Sequence, residues 1–519
     1  MKKILFMMVL CIFAYAKDTL VYAISSDITS LDPASANNNE SFYLGEQIYN
    51  TLFINDGNAL QPVLAKSYSI SEDGLVYTIK LKEGIYFNAN KFFDKSFELD
   101  ADDVVFSLKR QFDESNPYYS LGIPYIYWNA TNLKTSIKDV VATSKYEVKI
   151  MLNEPDFSVI YNLSRNFCPI MSKKYADFLL ENNRPKDLFN KPYGTGAFSL
   201  VTWKKDDRVV LEANPKYFQG SPKIKQLIFK VVPNAVVRVA ELKAGSVDLI
   251  DMPNLAQIQE LKDNKSVKVY EAEGLNVGYM AMNLQRKELS NILVRQAINY
   301  AVNKQALIDA AYEGFANLTN SPVPKSMKGY LESSYEYDLE KAKELMKKAG
   351  YENGFTLNLW AMPVSRPYMP DAKKVAQIIQ SDLAKINIKL EIISFDWGTY
   401  LQKASNLEHD LLLLGQTTSN IEAYDMLNTY LNSSSIKAPA ENFAAWSNDR
   451  FDELMKLAKA EFNEEKRLKL YEEAQRIFAK EVPWLTIANS KVFVVSSEKL
   501  KDFELDNTGK RDFSKVYFE

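Results

Sequence analysis

The chain has 519 residues, with 63 Lys and Arg against 66 Asp and Glu, for a formal net charge of −3. That balance argues against a broad nucleic-acid-binding surface, and the length calls for two or three domains with sizeable cores. Its one histidine, His409, leaves little material for zinc hydrolase motifs, Ser-His-Asp triads or Cys-His dyads, all of which need a positioned imidazole. In Leu407-Glu408-His409-Asp410 it reads as a loop or packing residue. There is no P-loop, CxxC or HExxH motif. Gly194-Thr195-Gly196 lacks the spacing of a nucleotide fingerprint and reads as a turn.

The N-terminus has the form of an export signal over residues 1–16. Lys2-Lys3 precede an apolar run from Ile4 to Phe13, and Ala14-Tyr15-Ala16 offers a small-x-small cleavage site. About ten apolar residues fall short of the roughly 20 a membrane span requires. Leu10 before Cys11 is too large for a typical lipidation signal. Cleavage would leave Cys168 as the one cysteine of the mature chain, which rules out an intramolecular disulfide. No later segment is apolar enough to span a bilayer.

Thr19 to Ala23 reads as a first strand, and Ser30-Leu31-Asp32-Pro33 as a turn before a helix over Phe42–Thr51. From Pro62 to Tyr86 the chain is rich in strands: Tyr77, Ile79 and Leu81 alternate with Thr78, Lys80 and Lys82 between glycine turns. Asp102 to Arg110 opens a helix with an acidic first turn, which suits the helix dipole. Val148–Met151 and Ala197–Trp203 read as further strands. In the second half, Asp338 caps a helix over Leu339–Ala349 that stops at Gly350. Phe451–Ala460 and Glu464–Ala479 read as amphipathic helices, and Pro483–Ile487 returns to strand.

The segment from Phe355 to Leu427 is the most informative. It reads strand–loop–helix–strand–loop–helix–strand–loop, with Val375, Ile379, Leu383 and Ile386 at helical spacing and Ile388, Leu390 and Ile392 at strand spacing. An unusual residue follows each strand: Arg366 in Ser365-Arg366-Pro367-Tyr368-Met369-Pro370, Trp397 in Asp396-Trp397-Gly398, and Glu422 beyond Gly415. Ligands of open α/β sheets sit at the carboxyl ends of the strands. A cation, an indole and a carboxylate there suit a small zwitterion such as a peptide.

Taken together, these segments resemble a known family. Landmarks are Leu64–Tyr68, Leu81–Phe87, Ala101–Leu108, Gly194–Phe198, Val294–Ile298 and Ala342–Gly350, in that order behind an export signal. They resemble the large extracytoplasmic solute-binding proteins of ATP-binding-cassette importers for dipeptides, oligopeptides and nickel complexes. The chain is most similar to the dipeptide-binding branch. The resemblance implies an α/β, two-lobed periplasmic-binding-protein fold of the large peptide-binding type, with an extra inserted strand-rich domain. Residues 17–53, 190–282 and 485–519 would form lobe I, 54–189 the insertion and 283–484 lobe II.

The resemblance further implies capture of dipeptides or short peptides in the periplasm and delivery to an inner-membrane permease. The protein would act as a monomer, with no covalent chemistry, no cofactor and no metal ligand of its own. Arg366 would hold the ligand carboxylate, matching its fork to a planar guanidinium. Glu422, or else Asp425, would take the ammonium, with Trp397 and Tyr368 beside the ligand. Asn489 stands where relatives often carry a histidine, which disfavours a direct nickel bond. Longer peptides, haem or a chelated nickel complex are the alternatives within the fold, and an exported peptidase is the alternative outside it.

Overall fold

The computed structural model describes residues 17–56, 59–121, 123–420 and 422–519. The expected export signal, Cys11 included, lies outside the described residues. Among those residues no helix is long and apolar enough to cross a membrane.

The first sheet is centred on Thr19–Ile24, which runs parallel to Gln226–Val231 on one side and to Leu249–Asp251 on the other. Arg208–Ala213 and Phe198–Lys204 extend it as antiparallel strands. Leu20, Tyr22 and Ile24 pack into one apolar cluster, while Ala23 packs into another with Val239, Leu242 and Ile250. Both faces are therefore covered, as parallel strands require.

The second sheet contains the segment singled out above. Phe355–Trp360 is parallel to Ile388–Ile393 and to Leu411–Thr417, and Asn276–Met282 pairs antiparallel with the last. Leu411, Leu412 and Leu413 are all fully buried, so this strand reads as an unbroken apolar run. The intervening helices are Ala372–Ala384 and Trp397–Ser405, capped by Asp371 and Asp396. Val375, Ile379 and Leu383 form the inward stripe.

One 14-residue strand, Trp484–Ser497, belongs to both sheets. Its first half pairs with Asn276–Met282, and its second half with Val267–Glu273. The strands Val267–Glu273 and Asn276–Met282 are themselves joined by Gly274-Leu275. The chain thus crosses between the lobes side by side at Gly274–Asn276 and Asn489–Ser490. Asn276 fastens the crossing: its Nδ2 donates to the Ser490 carbonyl at 3.0 Å, and its Oδ1 accepts from the Ser490 amide at 3.0 Å. Asn489 Nδ2 donates to the Asn276 carbonyl at 2.9 Å. A side chain at Gly274 would put its Cβ 2.0 Å from Asn276 Nδ2, so the glycine is required by this close approach. Strand pairing therefore groups Asn276–Met282 and Trp484–Ala488 with the second sheet, where the sequence reading had drawn the borders at residues 282 and 484.

The insertion is a four-stranded antiparallel sheet in the order Ala65–Ile70, Val76–Leu81, Glu147–Leu152, Ile137–Ser144. Tyr77, Ile79 and Leu81 face inward. The helix Ala101–Lys109 covers the sheet, and its capping box is formed by Asp100 and Asp103. A fully buried ion pair, Arg110 to Asp32 at 2.6 Å, ties the insertion to the first lobe. The helix expected over Phe42–Thr51 is instead Asn39–Ile48, because Asn38 caps it by accepting from the Ser41 amide.

Candidate functional site

The loop carrying Arg366 lies across the second sheet. Tyr312 Oη donates to the Tyr368 carbonyl at 2.9 Å, and Ser490 Oγ bonds the Pro367 carbonyl, so the loop is fastened directly to the interlobe crossing. Two glycines make room for it. A Cβ on Gly278 would stand 2.3 Å from the Tyr368 carbonyl, and one on Gly415 would stand 2.2 Å from Tyr368 Cδ2. The Tyr368 ring is thus seated on the strand surface, and its hydroxyl reaches the Met362 sulfur at 3.9 Å. Within the loop, Arg366 and Met369 exchange backbone hydrogen bonds.

Arg366 is half-buried, and its guanidinium lies 4.9 Å from the centre of the Trp397 ring. It forms no ion pair among the described residues. Trp397 is the first residue of its helix and stacks on buried Tyr400 at 5.7 Å. An arginine held against an aromatic face, with its donor edge unclaimed by a carboxylate, is prepared to take a carboxylate from outside the chain.

Glu422 is differently placed. It is 4% exposed, and both its oxygens bond Arg467, at 2.7 Å from Nε and 2.6 Å from Nη2. Tyr471 adds a third donor at 3.2 Å. The bidentate partner matches the carboxylate's charge and leaves it committed within the protein. Asp425, in the first turn of the helix Tyr424–Leu431, pairs instead with Arg165 of the insertion at 3.2 Å and also accepts from Asn420 Nδ2. Burial pushes its carboxyl above the ordinary carboxylate range, with Arg165 and Asn420 pulling the other way.

The Arg165–Asp425 pair bridges the insertion and the second lobe. Arg165 also lies 5.1 Å over the Phe167 ring, which stacks on Tyr127 at 5.8 Å. Nearby, Phe157 packs against Tyr424, and Arg467 lies 4.0 Å over its ring. The Phe157 amide donates to the Lys459 carbonyl at 3.0 Å. Lys459 in turn pairs with Glu154 at 2.7 Å. The insertion and the second lobe are therefore in contact here.

His409 is fully buried, bonds the Phe443 carbonyl through Nε2 at 2.8 Å and packs edge-on against Trp360. Burial lowers its imidazole from the ordinary 6.5 to about 4. It is a packing residue. Cys168 is free and buried. Among the described residues, no three His, Cys, Asp or Glu side chains cluster as a metal site would require.

A family model described as bacterial extracellular solute-binding proteins, family 5, middle region, matches residues 59–438. The chain belongs to this family. As a family 5 protein it is 38% identical over 461 residues to the dipeptide-binding protein of Escherichia coli, covering 88% of this chain and 86% of that one. It is 35% identical to the heme-binding protein A of Haemophilus influenzae, over 94% of this chain and 90% of that one. Among solved structures, the periplasmic binding protein DppA of Helicobacter pylori, in complex with the peptide STSA, superposes with a TM-score of 0.85 at 34% identity. That match covers 97% of this chain and 98% of that one. The two-lobed α/β architecture is therefore that of family 5.

Of the residues that the sequence singles out, Arg366 and Trp397 lie against each other, while Tyr368, in the same loop as Arg366, is buried against the strand at Gly415. Arg165 was missed because its partner Asp425 is distant in the chain. Gly278 and Gly415 were missed because a glycine inside a strand announces a close approach without naming what approaches.

Proposed function

We propose that this protein is the solute-binding component of an ABC importer, capturing dipeptides or short peptides outside the cytoplasm, in the periplasm, and handing them to an inner-membrane permease. The observation that carries this reading is Arg366, stacked on Trp397 at the carboxyl ends of the second sheet's strands and without an internal counter-ion among the described residues. Its role is to receive the ligand's C-terminal carboxylate. Asp425 is the better ammonium acceptor than Glu422, because Glu422 is satisfied through both oxygens by Arg467, whereas both Asp425 contacts, from Arg165 and Asn420, fall on Oδ2.

Closure follows from the architecture. The lobes join through two adjacent crossings, and a ligand touching both lobes favours the closed arrangement by its differential affinity for it. Dipeptide termini are only about 7 Å apart, at roughly 3.5 Å per residue, so a charged group from each end of the cleft suffices to measure length. The names and bound peptide of the relatives support the peptide reading, and the Haemophilus relative makes haem the competitor to test. Calorimetric titration of the mature protein with Ala-Leu, N-acetyl-Ala-Leu, Ala-Leu-amide and haem decides between them. Peptide binding that is lost on blocking either terminus supports the reading. Haem binding alongside indifference to the peptides overturns it.

A further inference from the structure

Phe157 belongs to the insertion by chain and to the second lobe by packing. It is 4% exposed and, among the described residues, is the one fully buried insertion residue in the apolar cluster of the second lobe. Its ring meets Tyr424 edge-on at 5.4 Å, and its amide donates to the Lys459 carbonyl at 3.0 Å, a main-chain bond between the two bodies. Beside it, Lys459 Nζ lies 2.7 Å from Glu154 and 3.5 Å from Asp156. The turn that presents Phe157 is stiff. Asp156 is buried and accepts from the Ser158 amide at 2.9 Å and from Ser136 Oγ at 2.7 Å, while Tyr77 Oη donates to its carbonyl at 2.9 Å.

Phe462 makes the reverse crossing. It sits in the turn between the helices Asp449–Ala460 and Glu464–Glu481 of the second lobe. Its ring lies 6.4 Å from that of Tyr77 in the insertion, and a Cβ on Gly74 would stand 2.7 Å from its Cε2. Phe462 packs against both cores. The two bodies thus exchange phenylalanines. The insertion, in turn, shares a single core with the first lobe, in which Leu20 and Tyr22 join Ile79 and Val148, and the buried Arg110–Asp32 pair ties the two together. A rotation at the Gly274–Asn276 and Asn489–Ser490 crossing therefore carries the insertion along with the first lobe. Opening the cleft has to draw Phe157 out of the second lobe and into water, which is unfavourable for a large apolar ring.

We propose that the insertion is the clasp of the closed form: Phe157 and Phe462, exchanged between the insertion and the second lobe and latched by the Lys459–Glu154 pair, hold the lobes together before a solute arrives. The clasp does not depend on which solute fills the cleft. Its effect on binding follows from population: apparent affinity rises with the fraction of protein already in the binding-competent form.

Small-angle scattering of the ligand-free mature protein tests the clasp, with circular dichroism confirming the fold of each variant. Phe157→Ala removes the inserted ring. Lys459→Glu places a third carboxylate beside Glu154 and Asp156 without opening a cavity, and keeps the test decisive if Phe157→Ala does not fold. Each single variant should have a larger radius of gyration than wild type, because like charges or a missing ring favour separation. The charge-reversed double variant Glu154→Lys with Lys459→Glu should return most of the way to the wild-type value, a coupling that mere loss of stability in one lobe does not produce. Folded single variants that scatter as the wild type does, or an enlargement that the double variant fails to reverse, overturn the clasp.

Discussion

Glu422 and Arg467 form a bidentate ion pair with 2.6 and 2.7 Å contacts, both residues less than 5% exposed. Removing one partner strands the other's charge in a buried site. Arg467→Met should therefore destabilise the protein by about 3–5 kcal/mol, and Glu422→Gln with Arg467→Met together should recover much of that loss. Urea unfolding of the single and double variants checks this. Peptide affinity of the folded double variant should stay near wild type, because the pair serves the fold; a collapse of affinity there would return Glu422 to the ligand.

Gly415 gives the second expectation. A methyl group at this position meets the Tyr368 ring at 2.2 Å, and the ring belongs to the loop that presents Arg366. Gly415→Ala should cost about 1–3 kcal/mol of stability through overpacking. It should also weaken dipeptide binding more than tenfold, about 1.4 kcal/mol or more, by moving the loop. If affinity is untouched while stability falls, the loop does not hold the ligand.

Asn276 fastens the interlobe crossing through buried bonds to Ser490 and Asn489. Asn276→Ala leaves the Ser490 amide and carbonyl without these partners, at about 1–3 kcal/mol for a buried unsatisfied group. Because the defect is at the crossing, the larger change should be in the open-to-closed distribution. Small-angle scattering with and without dipeptide should show a broader ligand-free ensemble than wild type. Identical scattering profiles would mean that the crossing does not govern closure.

His409 makes stability depend on pH. Its imidazole is lowered to about 4 in the fold against 6.5 ordinarily, so between those values the unfolded chain binds a proton that the native one does not. Its contribution is complete above about pH 6.5 and is lost progressively as pH falls towards about 4. His409→Phe should remove that part of the slope, although it also loses the bond to Phe443. Comparing unfolding free energies of wild type and variant at pH 7 and pH 4.5 isolates it: the gap between them should narrow at the lower pH.

The parts of this architecture that were legible in the sequence are those set by local rules. The Ile388, Leu390, Ile392 alternation, the Val375, Ile379, Leu383 stripe and the cap Asp338 are each decided within one turn or one pleat, and each appears as expected. Arg366 and Trp397 were visible because a charge and an indole stand out beside strand ends. Hidden features depend on distant partners. Glu422 looked like a ligand carboxylate until Arg467 was seen to fill both its oxygens, and nothing near Glu422 in the chain announces that partner. Trp484–Ser497 looked like a five-residue strand because Asn489-Ser490 interrupts its apolar run, yet those two residues are what the crossing needs.

The central claim is that Arg366 receives the carboxylate of a peptide. Isothermal titration of Arg366→Ala with Ala-Leu tests it most directly, with circular dichroism confirming the fold. A ligand carboxylate left in the cleft without its partner should cost about 3 kcal/mol, roughly a hundredfold in affinity, and Ala-Leu-amide should bind wild type and variant equally weakly. Wild-type affinity for Ala-Leu in the variant would contradict the account.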